Sequence, residues 1–265
     1  MANPDTYYRD HWIEVEPERL EAYEQMFEWH PRMAPLLEPA ELAPGQSVVD
    51  YGCGPGLLTL ELARRVGVQG HVHGIDINQT FVERAIQRLA ENEFAARTTV
   101  HRIEKDGLPL PDASVDRVIC KNVLEYVDEP VETLSEFRRG LRPRGLAHVI
   151  DSDWGLLTVE PLGPEPIREL FEAARPAYRT PLIGRRLYGL FRQAGFRDIK
   201  VRVLAGADTH GRMLPILLNM AAYARASGRM EPERIEEILE RARAAAAAEE
   251  ILILLPQFLV TGTAP

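Results

Sequence analysis

The 265-residue sequence predicts an α/β fold, a doubly wound and mostly parallel sheet of seven strands, on three observations. Short apolar runs alternate with amphipathic helical patterns, as in parallel sheets buried on both faces. A glycine-rich turn joins the first of those runs to a helix. Finally, 45% hydrophobic and 27% charged residues describe an ordinary globular chain, long enough to bury its own core.

Taken in order, residues 1–45 are helical and amphipathic. Apolar positions recur near a 3.6 period at Leu20, Tyr23, Met26, Phe27, His30, Met33, Ala34 and Leu37, with Pro31 and Pro35 dividing the segment. Pro44-Gly45 closes it as a turn. Then come strand 47–51 (SVVDY), helix 57–66, strand 72–77, helix 80–91, strand 98–103, strand 116–121, helix 131–141 and strand 146–151. A helix over 184–194 leads into strand 199–204, residues 213–255 read as helical, and 257–261 is the last strand. The expected organisation of residues 1–265 is one domain: a helical cap (1–45), a core (46–205), a helical insertion (206–255) and a closing strand (256–265).

Charge and cysteine usage narrow the partners. With 31 Lys+Arg against 40 Asp+Glu, the net charge of −9 disfavours a nucleic-acid surface. Cys53 and Cys120 are too few for a disulfide framework or a cysteine zinc site. The start MANPDTYYRDHW has no apolar leader, and the longest strongly apolar run, 251–255, falls far short of the roughly 20 residues that span a bilayer. The chain reads as cytoplasmic.

The stretch Val48-Val49-Asp50-Tyr51-Gly52-Cys53-Gly54-Pro55-Gly56 carries the most chemistry. Glycines at alternate positions behind a strand-terminal acid let a ligand lie against bare backbone. A P-loop needs Lys-Ser/Thr after its last glycine, and Leu57-Leu58-Thr59 has no lysine. A dinucleotide fingerprint needs a glycine where Leu57 stands. The turn fits neither phosphate pattern. Asp76, twenty residues beyond Gly56 at the end of VHGID, stands where a second strand would present a carboxylate to ribose hydroxyls.

These residues resemble the first two motifs of the class I S-adenosylmethionine-dependent methyltransferases, which implies a Rossmann-like fold and that cofactor. The resemblance runs from about Pro44 to Asp153 and more loosely to the C-terminus. It implies that Gly52, Cys53, Gly54 and Gly56 lie against the methionine portion, and that Asp50 orients the turn or the cofactor's amino group. Asp76 would hold the ribose, with Ile77 against the adenine. RIEKDGLPLPDASVD resembles the family's G-D-A-x-x-L-P-F stretch, which puts Glu104 at the adenine amino group and Lys105 at a backbone contact. Lys121 and Asn122 would flank the sulfonium end, with Lys121 turned away or paired with Glu125, because a cation gains nothing beside a sulfonium.

Methyl transfer from a sulfonium is an in-line displacement, so positioning and desolvation supply much of the acceleration. His71, His73, His101 and His148 lie in strands and read as structural. His11, His30 and His210, with Glu125 and Asp153, are the weak candidates for a base. Asp151-Ser152-Asp153 is too common a pattern to imply a metal, and none is expected. The resemblance implies a small organic acceptor, from secondary metabolism for example, and leaves a homodimer open. The rivals are an RNA or protein methyltransferase, supported only by Arg138, Arg139, Arg142 and Arg144, and a cofactor-binding cyclase of the same fold. The aromatic N-terminal segment would close over the site, with Tyr8 and His11 as its contacts.

One prediction follows from Leu57. Calorimetry with both ligands should show binding of S-adenosylmethionine and none of comparable strength for NAD, since a side chain blocks pyrophosphate approach. Tighter binding of NAD would reverse the assignment.

Overall fold

The computed structural model describes residues 6–13, 15, 20, 21, 23–25 and 28–265. The large sheet runs β3-β2-β1-β4-β5-β10-β7. Its strands are β1 (Ser47–Tyr51), β2 (His71–Asp76), β3 (Thr98–Arg102), β4 (Val115–Lys121), β5 (Leu141–Ser152), β7 (Arg197–Leu204) and β10 (Gln257–Thr263). The pairings among β1 to β5 are parallel, and β10 is antiparallel to both β5 and β7. This is the doubly wound, mostly parallel architecture that the alternating pattern predicts.

Both faces of the sheet are covered, which is why its strands are apolar at successive positions. Val48 points into a layer with Leu62, Ala63 and Val66 of the helix Leu57–Val66, and with Ile119 and Ile150. Val49 and Tyr51 point the other way, into a layer with Phe137, Ile183, Phe191 and Val260. Strand order reverses beside β1, so β1, β2 and β4 open a crevice at their C-terminal ends, where open α/β sheets bind ligands.

Three segments depart from the sequence expectation. The stretch 213–255 is not helical throughout: it holds the helices Leu214–Ser227 and Pro232–Ala247, and then β9 (Leu252–Leu254). Glu249 at φ 58° leaves the helical region, and Ile251, Ile253 and Leu255 then turn inward at every second residue, the period of a strand. β9 lies between β6 (Thr158–Glu160) and β8 (Ala207–Asp208) in a second, three-stranded sheet. The helix Pro164–Ala174 also escapes the sequence reading, although Ile167, Leu170, Phe171 and Ala174 repeat at helical spacing behind a Pro-Glu-Pro start. It packs with the two later helices around Met220, Tyr223 and Ile238, so this cap gathers chain from both sides of β7. Third, β5 begins at Leu141, and the Arg142–Gly145 turn is a register shift in the β4/β5 pairing, with Arg144 at φ 64°.

In the N-terminal segment, Tyr7–Ile13 is a helix, Pro31–Met33 is a 3₁₀ turn and Ala34–Leu37 a single helical turn that Pro35 opens. Leu20 and Tyr23 are buried against Phe81. The expectations for Met26 and Phe27 fall outside the described residues.

Behind the β1 turn, Asp50 is buried and accepts a hydrogen bond from the Thr59 hydroxyl at 2.6 Å, tying the strand end to the helix that follows. Burial pushes its carboxyl up from 3.8 to about 7; the Thr59 bond opposes the shift, the nearby Asp76 carboxylate adds to it, and the Lys121 ammonium opposes it. The folded protein thus holds this proton more tightly than the unfolded chain. The stability it contributes is complete below about pH 4 and is lost as pH rises towards 7. Asp50→Asn keeps the uncharged shape, so its stability gain over the parent should grow across that window to about 4 kcal/mol. Urea unfolding at pH 5 and pH 8 measures this, and a pH-independent difference would contradict it.

Candidate functional site

Three glycines shape the turn after β1. Gly52, Gly54 and Gly56 have φ of 75°, 52° and 83°, in the left-handed region that glycine enters without strain. Two of them also meet neighbours. A Cβ on Gly52 would lie 2.2 Å from Val123 Cγ2, and one on Gly56 would lie 3.0 Å from the Ala85 Cβ. Nothing lies within 4 Å of the corresponding point on Gly54, which faces open space. The Gly52 and Cys53 amides donate to the Ile75 carbonyl at 2.8 and 3.0 Å, so β2 holds the turn in place.

At the end of β2, Asp76 receives the Gly54 amide on Oδ2 at 2.8 Å and the Asn78 amide on Oδ1 at 2.9 Å. Burial raises its pKa, and the amide hydrogen bonds oppose the shift. A carboxylate has about four lone-pair directions, so after the Gly54, Asn78 and Ile77 amides Asp76 keeps room for a further donor. Asn78 has a double role: its Oδ1 caps the helix Gln79–Ala90 by accepting from the Phe81 amide, and its Nδ2 donates to the Trp12 carbonyl at 2.6 Å.

A cavity of about 520 Å³ opens over this turn. Of the residues singled out from the sequence, Gly52, Cys53, Gly54, Asp76, Ile77, Glu104, Lys105, Lys121 and Asn122 line it. Asp50 and Gly56 stand behind the turn, outside the lining. Asn122 has φ 54°, and its buried Oδ1 has no hydrogen-bond partner among the described residues, so a donor from within the cavity would satisfy it. Burial raises the Cys53 thiol well above its usual range, which makes it a packing group and no nucleophile.

The roof differs from the sequence expectation. Tyr8 and His11 do not line the cavity; Arg9 and Trp12 from the same helix do. Tyr8 instead donates to the Asp128 carboxylate, which also has Arg9 at 3.8 Å and Arg179 at 3.6 Å. His11 is buried among Tyr7, Trp12, Tyr126 and Tyr223, with ring centroids 5.0–5.8 Å away. Docking of the short helix decides which of its faces meets the cavity, and periodicity does not reveal that choice.

The remaining candidates for a base lie elsewhere. Glu125 is buried behind the cavity and accepts from the Trp154 indole N–H; burial drives its pKa well above the carboxylate range. Asp153 is fully buried, paired with Arg185 and accepting the Gly155 amide at 3.1 Å. Asp151 accepts the Leu124 and Ser152 amides, so the two aspartates of Asp-Ser-Asp serve different partners. His30 lies 4.0 Å from Glu28, and His210 is exposed beside Thr209. Lys121 is among the residues that line the cavity, and Asp50, Glu125 and Asp151 are all in its electrostatic reach. Sequence reasoning missed Asn78 and Asp128. Only Asn78 had a signal, as the asparagine preceding a helix.

The arginines that could support a nucleic-acid surface are partly neutralised. Arg139 pairs with Asp112 and Glu136, and Arg142 with Asp116.

Comparison with known proteins places this geometry. A family model described as a methyltransferase domain matches residues 42–195. The chain is 37% identical over 162 residues to an uncharacterized 37.1 kDa transposon protein of Streptomyces fradiae, covering 61% of this chain and 46% of that one. It is 36% identical over 110 residues to a 2-phytyl-1,4-naphtoquinone methyltransferase of Trichormus variabilis, covering 41% of this chain and 47% of the relative. The chain thus spans less than half the length of these two relatives. Phosphoethanolamine N-methyltransferase 2 of Haemonchus contortus, solved with S-adenosyl-L-methionine, is similar at a TM-score of 0.67 and 17% identity over 97% of this chain and 60% of that one, a likeness of fold. The family model takes in more than half of the sequence, and with the seven-stranded sheet it shows that the chain belongs to the methyltransferase domain family, with the class I S-adenosylmethionine-dependent fold.

Proposed function

We propose that this protein transfers a methyl group from S-adenosylmethionine to a small organic acceptor. One observation carries the reading: the bare backbone at Gly54, the Asp76 carboxylate and Asn122, whose buried Oδ1 has no hydrogen-bond partner among the described residues, belong to the lining of a single cavity. That donor and acceptor set suits the cofactor. Asp76 accepts from the ribose hydroxyls, Asn122 Oδ1 accepts from the methionine ammonium, and Gly52–Gly54 let the chain lie close. Ile77 and Ile103 supply apolar surface for the adenine, with Glu104 and Lys105 at the exposed rim.

S-adenosylmethionine, when bound, supplies a methyl group on a positively charged sulfur. The chain's contribution is enclosure and alignment. Trp12, Trp29, Met33, Leu57, Leu58 and Tyr126 give the cavity apolar walls, which favour an acceptor with substantial apolar surface and exclude water from the displacement. No histidine lines the cavity among the described residues, so the reading assigns no histidine base. The quinone-type and phosphoethanolamine acceptors named for the relatives fix only the general scale of the substrate. We read the whole chain as one enzyme unit working in the cytoplasm, and no described helix is long and apolar enough to cross a membrane.

Incubation with labelled cofactor and a metabolite extract, followed by mass spectrometry, should show S-adenosylhomocysteine and one methylated product. A rearranged product without S-adenosylhomocysteine would favour a cyclase. Asp76→Ala should weaken cofactor binding by about 2–4 kcal/mol and Asp76→Asn by less, because the amide keeps one acceptor oxygen. A dissociation constant unchanged from the parent in both variants would remove Asp76 from the site.

We also propose that the helix Tyr7–Ile13 is a roof that closes over the bound cofactor, latched by Asp128 and Asn78. Deleting residues 1–11 should abolish most turnover while leaving the melting temperature close to that of the full chain. Retained turnover, or joint loss of stability and activity, would make the segment scaffold.

A further inference from the structure

A buried group of charges beneath the cavity floor has no part in the reading above. β4 lies between β1 and β5, and their C-terminal ends place Asp50, Lys121 and Asp151 on three neighbouring strands. Glu125 follows in the turn after β4. The three acids are 1%, 2% and 0% exposed in the order Asp50, Glu125, Asp151, whereas Lys121 reaches the cavity lining. The Lys121 ammonium acts on all three acids. With every group ionised, three negative charges would face one positive charge in the interior. Two uncompensated buried charges are costly, and such a cluster retains protons instead.

Resting on the cofactor reading, we propose that the cluster of Asp50, Lys121, Glu125 and Asp151 is a proton-exchanging counterion for the sulfonium. It releases a proton when the charged cofactor binds and recovers one when the methyl group leaves. S-adenosylmethionine carries one more positive charge than S-adenosylhomocysteine, and the extra charge is the sulfonium, which Lys121 and Asn122 of the cavity lining would flank on the cofactor reading. A positive charge at the floor lowers the cost of ionising the acids below it. In the transfer, the methyl carbon bonds to the acceptor and the carbon–sulfur bond breaks with its electron pair left on sulfur. The acceptor loses one proton, and the cluster takes up a proton as the sulfonium charge disappears. A lysine beside a sulfonium is thereby explained, because three acids outnumber it.

The titration behaviour agrees. Burial raises Asp50, Asp151 and Glu125 above their ordinary values, and burial lowers Lys121. The other titratable groups around the cluster are Asp76 and Cys53 on the β1–β2 side, Cys120 on β4 and Tyr126 after it. Burial raises the cysteine thiols and the tyrosine hydroxyl well above neutrality, which leaves the acids and Lys121 to exchange the proton.

Calorimetric titration of the full chain at pH 7 in phosphate and in Tris tests this, because the two buffers differ in ionisation enthalpy. The difference in apparent binding enthalpy counts the protons released. S-adenosylmethionine should release a substantial fraction of one proton more than S-adenosylhomocysteine; both ligands share the same amino and carboxylate groups, so those cancel. The affinity ratio in favour of S-adenosylmethionine should accordingly rise between pH 6 and pH 8, roughly tenfold if half a proton is linked. Glu125→Gln and Asp151→Asn, which preserve shape, should each reduce this rise and leave S-adenosylhomocysteine binding little changed. Equal proton counts for the two ligands, or a flat ratio in the parent chain, would overturn the proposal whether or not the variants fold. Binding of neither ligand would overturn the cofactor reading and this inference with it.

Discussion

The backbone of Gly52 passes so close to Val123 that no other residue fits between them, and the rest of the site depends on that contact. It brings the turn after β1 against the turn after β4. From there Asn122 can be held at φ 54° with its amide on the Ile150 carbonyl, so its side chain and that of Lys121 border the same space as Gly54. Two bonds to the Ile75 carbonyl complete the junction. The turns after β1 and β4 and the end of β2 are therefore held together by the Gly52–Val123 contact, the two bonds to the Ile75 carbonyl and the Gly54 amide on Asp76.

Polar groups near this junction have more than one task. Asp76 orders two amides and still has acceptor capacity. Asn78 starts a helix and holds the roof through the Trp12 carbonyl. Asp128 gathers Tyr8, Arg9 and Arg179 from two separate parts of the cap. Roof and cofactor floor consequently share partners: Asp76 fixes the amide of the residue whose side chain holds the roof. Asp76 is thus connected to the helix Tyr7–Ile13 through two hydrogen bonds, Asn78 N–H to Asp76 and Asn78 Nδ2 to the Trp12 carbonyl.

The cap itself is built around aromatic rings. Tyr126 stacks on Tyr178 at 5.7 Å, Tyr178 meets Tyr223 edge-on at 5.7 Å, and Trp154 lies 5.1 Å from Tyr178. Tyr126 alone of these four also lines the cavity. The ring cluster thereby joins the cavity wall to the helices Pro164–Ala174 and Leu214–Ser227 and to the second sheet, in one continuous apolar layer.

By itself the sequence determined the elements whose signals are local. Val48-Val49 marks a strand buried on both faces, and the spaced glycines mark a backbone that turns through φ > 0. These follow from the steric and hydrogen-bonding limits of a few adjacent residues. Tertiary structure alone decided which polar groups face the cavity. Glu125 and Asp153 look equally available in sequence, yet Trp154, 29 residues on from Glu125, and Arg185, 32 residues on from Asp153, occupy them. Tyr8 and His11 yielded the cavity to Arg9 and Trp12 because docking chose the face of that helix. β9 exists because β6 and β8 supply edges for it, and its residues pair with partners 45–47 and 92–96 residues away along the chain. Burial, pairing and facing depend on neighbours that only the folded chain brings together.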